Sequence, residues 1–242
     1  MKLLFSLILI FSIALNVSNS TKTLNPLNIN IKESNPTCFS ESSFVGFTTA
    51  YIFNSINAFF PGENGQPPKQ DTFYESGTIS YDFQNQLYYN QFYELDISSN
   101  LTTTATTWIF GKNSTQYFIP TNDATCYIVS KDATLPSQMP LLFPAGSSEI
   151  GITPTQVLSI TDTKMANYTA ETLLVTSDCT PMIYSVSNLE YVAPGEALMN
   201  FFFYATEPNE NLFQLPSLCA EPTPVESSKL SKSTKSILNM FQ

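Results

Sequence analysis

The chain has 242 residues, with ten basic side chains against twenty acidic ones and no histidine. All the basic residues are lysines, so there is no arginine fork for phosphate, and a sequence pI near 4.3 argues against a nucleic-acid partner. Without histidine the commonest general base and the commonest metal ligand are missing, and charge at 12% is sparse beside the roughly 25% usual for soluble domains.

Residues 1–20 carry one lysine, then L-L-F-S-L-I-L-I-F-S-I-A-L, then small residues. This reads as a signal peptide cut after Ser20, because the apolar run is shorter than the ~20 residues needed to span a bilayer. No later segment reads as membrane-spanning. The lysine- and serine-bearing C-terminus has no GPI-type pattern. The expected location is extracellular, with the lysosome as the alternative. Residues 21–37, with Pro26 and Pro36, read as a flexible leader. A domain is expected over 38–220, followed by a polar Lys/Ser tail over 221–242.

Within that domain the signals are short, β-branched and aromatic. Residues 44–53 (F-V-G-F-T-T-A-Y-I-F) read as a strand. The stretch 60–70 holds Pro61, Gly62, Gly65, Pro67 and Pro68 and reads as a loop. A hairpin follows over 73–97, with turn chemistry at Asp82, Gln84 and Asn85. Its second arm alternates. Leu87, Tyr89, Gln91, Tyr93, Leu95 and Ile97 point one way and are taken as the drier face. Tyr88, Asn90, Phe92, Glu94 and Asp96 point the other. Further strands are expected at 103–110, 115–119, 125–130, 155–161, 168–176, 182–186 and 197–205. Residues 132–146, with Pro136, Pro140 and Pro144, read as a crossover loop. Some ten short strands with little helix make an all-β sandwich or open barrel.

Two features agree with an oxidising, secretory route. Sequons stand at Asn100, Asn113 and Asn167 in stretches that read as turns or strand ends. The four cysteines, Cys38, Cys126, Cys179 and Cys219, make an even set, so two disulfides are expected, with three connectivities open. Their wide spacing without histidine argues against zinc.

Four segments together resemble the ependymin-related family of secreted glycoproteins. They are G-T-I-S-Y-D (77–82), Y-F-I-P-T-N-D-A-T-C (117–126), D-C-T-P-M (178–182), and F-F-F-Y-A-T-E-P with F-Q-L-P-S-L-C (201–219). The order and rough spacing of these segments carry the resemblance. Phe44 stands where the family usually has an aromatic, often Trp, and the segment between Pro208 and Phe213 is longer by a residue or two. The resemblance implies two antiparallel sheets curved into a half-open barrel with an apolar pocket, similar to bacterial lipoprotein carriers. It also implies Cys38 paired with Cys179 and Cys126 with Cys219, a lipid or other hydrophobic ligand, and a homodimer.

Candidate pocket residues are Leu87, Tyr89, Tyr93, Leu95, Trp108, Phe110, Phe201 and Phe203. By residue type they fit a filled core better, because buried aromatics dominate cores generally. The resemblance is what raises them to pocket candidates. The alternative is an adhesive or matrix glycoprotein acting through its outer face. No cofactor is expected. Weak calcium binding by scattered carboxylates is the only metal reading kept, and no D-x-D-x-[DN]-G loop supports it. No G-x-S-x-G or P-loop is present, and no catalytic residue is assigned.

Overall fold

A computed structural model describes residues 38, 45–61, 67–130, 134–137, 142–160 and 165–224. The expected signal peptide, the leader and residues 225–242 of the tail lie outside the described residues. The described residues fall within one compact unit.

Among the described residues the secondary structure is strands and short 3-10 turns. In chain order the strands are β1 (Gly46–Phe60), β2 (Lys69–Asp82), β3 (Leu87–Asp96), β4 (Leu101–Phe110), β5 (Thr115–Pro120) and β6 (Tyr127–Ser130). They continue as β7 (Leu142–Ile150), β8 (Thr153–Ile160), β9 (Thr169–Thr176), β10 (Pro181–Asn188), β11 (Glu196–Ala205) and β12 (Thr223–Pro224). The expected all-β class holds, but one continuous ladder carries all the strands where two sheets were expected. Its order is β12-β6-β5-β4-β3-β2-β1-β11-β10-β9-β8-β7. Each neighbouring pair is antiparallel except β6 and β12, which are parallel.

The stretch read as a crossover loop, 132–146, runs into an edge strand, β7, from residue 142. Pro144 is tolerated there because an edge strand leaves one row of backbone N–H groups without a ladder partner. β1 runs to Phe60, seven residues past the expected end at Phe53. It does so through a bulge between Ser55 and Ala58, where Asn57 takes a positive φ of 53°.

Residues directly opposed in a ladder share a face. Tyr51, Gly77 and Phe92 therefore lie on one face, together with Tyr81, Tyr88 and Ile109. Across β1 and β11 the same face continues through Phe53 and Met199 to Tyr184, Leu173 and Leu158. This inner face is the core: Phe53, Tyr81, Tyr88, Val175 and Met199 are all 0% exposed. No helix longer than a 3-10 turn is present among the described residues to cover it, so the sheet buries it by curving around it. The strands β12 and β7 remain as separate edges.

Leu135, in the connection between β6 and β7, packs into that core. Around it the Tyr81 hydroxyl donates to Pro136 O at 3.0 Å and Gln86 Nε2 donates to Leu135 O at 2.7 Å. The disulfide Cys38–Cys179 ties the segment before β1 to the β9–β10 turn. The disulfide Cys126–Cys219 ties the start of β6 to the C-terminal segment.

Candidate functional site

The sequence assigns the drier face of β3 to Leu87, Tyr89, Gln91, Tyr93 and Leu95. In the fold it is the opposite set that faces the core: Tyr88 and Asn90 are 0% exposed, Phe92 2% and Glu94 7%, while on the assigned face Tyr89 is buried at 7% and Tyr93 is 40% exposed. Asn90 stands beside Thr107, and Glu94 beside Glu75 and Thr103, in that face; a buried polar group is tolerated when it is hydrogen-bonded, as Asn90 is to Tyr51.

The candidate pocket residues consequently fall into three groups. Leu87, Tyr89, Tyr93, Leu95, Trp108 and Phe110 lie on the outer face, in register with one another across β3 and β4 or alternating along them. Of these, Leu87, Tyr89, Trp108 and Phe110 form a cluster with Phe213, Leu212 and Leu215. Here the C-terminal segment crosses the sheet as a strap. The Trp108 Nε1–H donates to Leu212 O at 2.8 Å, and the Tyr89 and Trp108 rings meet edge to face at 5.7 Å. The strap's start is held where Asn209 N–H donates to Ser80 Oγ at 3.0 Å. Phe201 lies on the inner face, packed against the main core. Phe203 sits at φ 54° and is 92% exposed. The three sequon asparagines, Asn100, Asn113 and Asn167, are exposed on turns or at their margins.

The site that sequence reasoning missed is a polar row across the inner face. Gly77 makes room for it. A Cβ there would lie 2.2 Å from Gln91 O and 3.0 Å from Tyr51 Cε1, so only glycine lets the Tyr51 ring cross β2. That ring delivers its hydroxyl to Glu75 Oε1 and to within 3.1 Å of Asn90 Oδ1. A phenol has one proton; when it donates to the carboxylate, the amide of Asn90 satisfies the phenol oxygen by presenting its NH2.

Thr107 on β4 is the register partner of Asn90, and Gln116 on β5 is the partner of Ile109, two residues further along β4. Both are buried, at 0% and 5% exposed. Thr107 Oγ1 and Gln116 Nε2 have no hydrogen-bond partner among the described residues. Glu94 stands opposite Glu75 on the same face. On the other flank of the sheet the Tyr184 hydroxyl donates to Glu171 Oε2 at 2.8 Å, both buried.

Burial pushes the phenols of Tyr81 and Tyr204 well above their ordinary value, with Tyr88 adding to the effect at Tyr81. At the exposed β9–β10 turn the Thr176 hydroxyl holds the Asp178 carboxyl below the usual carboxylate range. Among the described residues no three His, Cys, Asp or Glu side chains converge as a metal site. No described helix is long and apolar enough to cross a membrane.

The family profile described as "Ependymin domain, amoebozoa" matches residues 36–242. An uncharacterized protein of Dictyostelium discoideum is 29% identical over 183 residues, covering 75% of this chain and 56% of that protein. The chain thus spans little more than half the length of that relative. A crystal structure of an uncharacterized conserved protein from Thermus thermophilus is similar with a TM-score of 0.45 at 11% identity, over 76% of this chain and 91% of that one.

Proposed function

This chain belongs to the ependymin-domain family, and on that premise we propose that it is a secretory-route glycoprotein that carries a lipid or another hydrophobic molecule. The supporting observation is an aromatic inner face wrapped by a curved ladder that does not close on itself. Aromatic side chains supply large apolar contact area, which is what a hydrophobic ligand needs. The ladder ends on two unjoined edges, the short strand β12 and the exposed strand β7, and opening at either edge breaks no ladder between them. The two disulfides fit an oxidising compartment.

The test is native mass spectrometry of the protein secreted from its own cell type, before and after solvent extraction and re-exposure to mixed lipids. A hydrophobic molecule bound at fixed stoichiometry and recovered on re-exposure is the expected result. Protein that is empty as secreted and stays empty with lipids present would remove the carrier reading and favour adhesion through the outer face.

A further inference from the structure

The inner face is aromatic, yet each strand from β1 to β5 places a polar residue on it: Tyr51, Glu75, Asn90, Thr107 and Gln116, a slanted row in which Asn90 and Thr107 are direct register partners. Of its first three members, Tyr51 is hydrogen-bonded through its hydroxyl to both Glu75 and Asn90. Its last two, Thr107 Oγ1 and Gln116 Nε2, are buried polar atoms without a partner among the described residues. Leaving such groups unpaired in a dry face is unfavourable, and an isosteric apolar side chain would avoid it. The unpaired end is also the end nearest an edge of the sheet. Among the described residues, the short strands β6 and β12 are what follow β5 toward that edge of the sheet.

Resting on the carrier reading, we infer that the Thr107–Gln116 end of this row binds the ligand's head group, and that this head is an uncharged hydroxyl. A hydroxyl both donates and accepts, so it can give its proton to Thr107 Oγ1 and take one from Gln116 Nε2. The threonine hydroxyl can equally turn to donate. An anionic head would find acidic rather than basic side chains on this face: Glu75 and Glu94 stand opposite each other across β2 and β3. Strands β1 to β5 hold no arginine or histidine to offset the charge, and their only lysine, Lys69, is at the far start of β2. Carboxylate or phosphate heads are disfavoured in such low-dielectric surroundings. The substrate class is therefore a neutral amphiphile with an alcohol head, such as a monoacylglycerol or a long-chain alcohol.

The experiment compares a monoacylglycerol with the fatty acid of the same acyl chain, by native mass spectrometry of the full glycoprotein at pH 7. The wild type is expected to bind the monoacylglycerol on the order of tenfold more tightly, the discrimination that follows from one well-satisfied buried hydrogen-bonding pair. Thr107→Val and Gln116→Leu are expected to fold, to keep binding both probes, and to bring the ratio to within about twofold. Equal affinities in the wild type, a preference for the fatty acid, or a tenfold ratio that survives both substitutions would overturn the inference while leaving the carrier reading standing. A wild type that takes up neither probe nor any mixed lipid would overturn both.

Discussion

Phe213 is the side chain that turns the C-terminal strap into a packed layer. It is 8% exposed, against Tyr89 and Trp108 on the outer face. A phenylalanine ring buries roughly 150–250 Å², which at about 25 cal/mol per Å² sets an upper figure of ~4–6 kcal/mol. Residual burial in the unfolded chain lowers this to about 3 kcal/mol. Phe213→Ala is therefore expected to cost about 3 kcal/mol, the low end for phenylalanine truncations, because the strap can settle into the gap. It cannot leave. Its ends are held by the Asn209–Ser80 contact and by Cys126–Cys219.

For a domain of this size that is a fall in Tm of about 6–12 °C. Trp108 is the chain's only tryptophan, so its emission reports this layer alone. Urea titration followed by tryptophan fluorescence and by far-ultraviolet circular dichroism should give the same destabilisation. The folded variant's emission should shift to the red as water reaches the indole. A loss below about 0.5 kcal/mol with unchanged emission would mean that the strap adds no packing and that the outer face is exposed sheet.

Further outcomes follow from the same structure. Replacing Cys126 and Cys219 together by serine opens a loop of sequence separation 93 and should lower stability by ~4–5 kcal/mol on the chain-entropy account, read from denaturation midpoints. Tyr81 and Tyr204 are held neutral by burial, so their contribution is present below the ordinary phenol value and is lost as pH rises through the raised folded one. Absorbance at 295 nm on alkaline titration should show these two ionising only together with unfolding. Asp178 has its carboxyl held low by Thr176, so its contribution is present above the ordinary carboxylate value and is lost as pH falls through the folded one. Asp178→Ala should be slightly less stable than wild type at pH 5–7, with the gap closing toward pH 2. Enzymatic deglycosylation of the secreted protein should remove mass and leave aspartate at Asn100, Asn113 and Asn167, each of which is exposed.

The alternation in residues 87–97 is enough to make β3, and the turn residues Asp82 and Asn85 are enough to end its hairpin. The Asp82 carboxylate accepts from both the backbone and the side-chain amide of Asn85 at 2.8 Å. These are local properties of neighbouring residues, and strand class, turns and the aromatic load were legible for that reason. β7 was obscured by Pro144, which is compatible with a strand only at an edge. Edge position is a property of the whole ladder.

The direction of burial was not legible either. Leu87, Tyr89 and Trp108 are apolar because a strap from residues 209–215, more than a hundred residues later than Trp108, covers them. Asn90 is buried because the Tyr51 hydroxyl, itself bonded to Glu75, reaches it from β1 across β2. A period of two separates two faces without naming the inner one. Only the curvature of twelve strands and the path of the C-terminal segment decided which face is core, which is covered surface, and where the polar row lies.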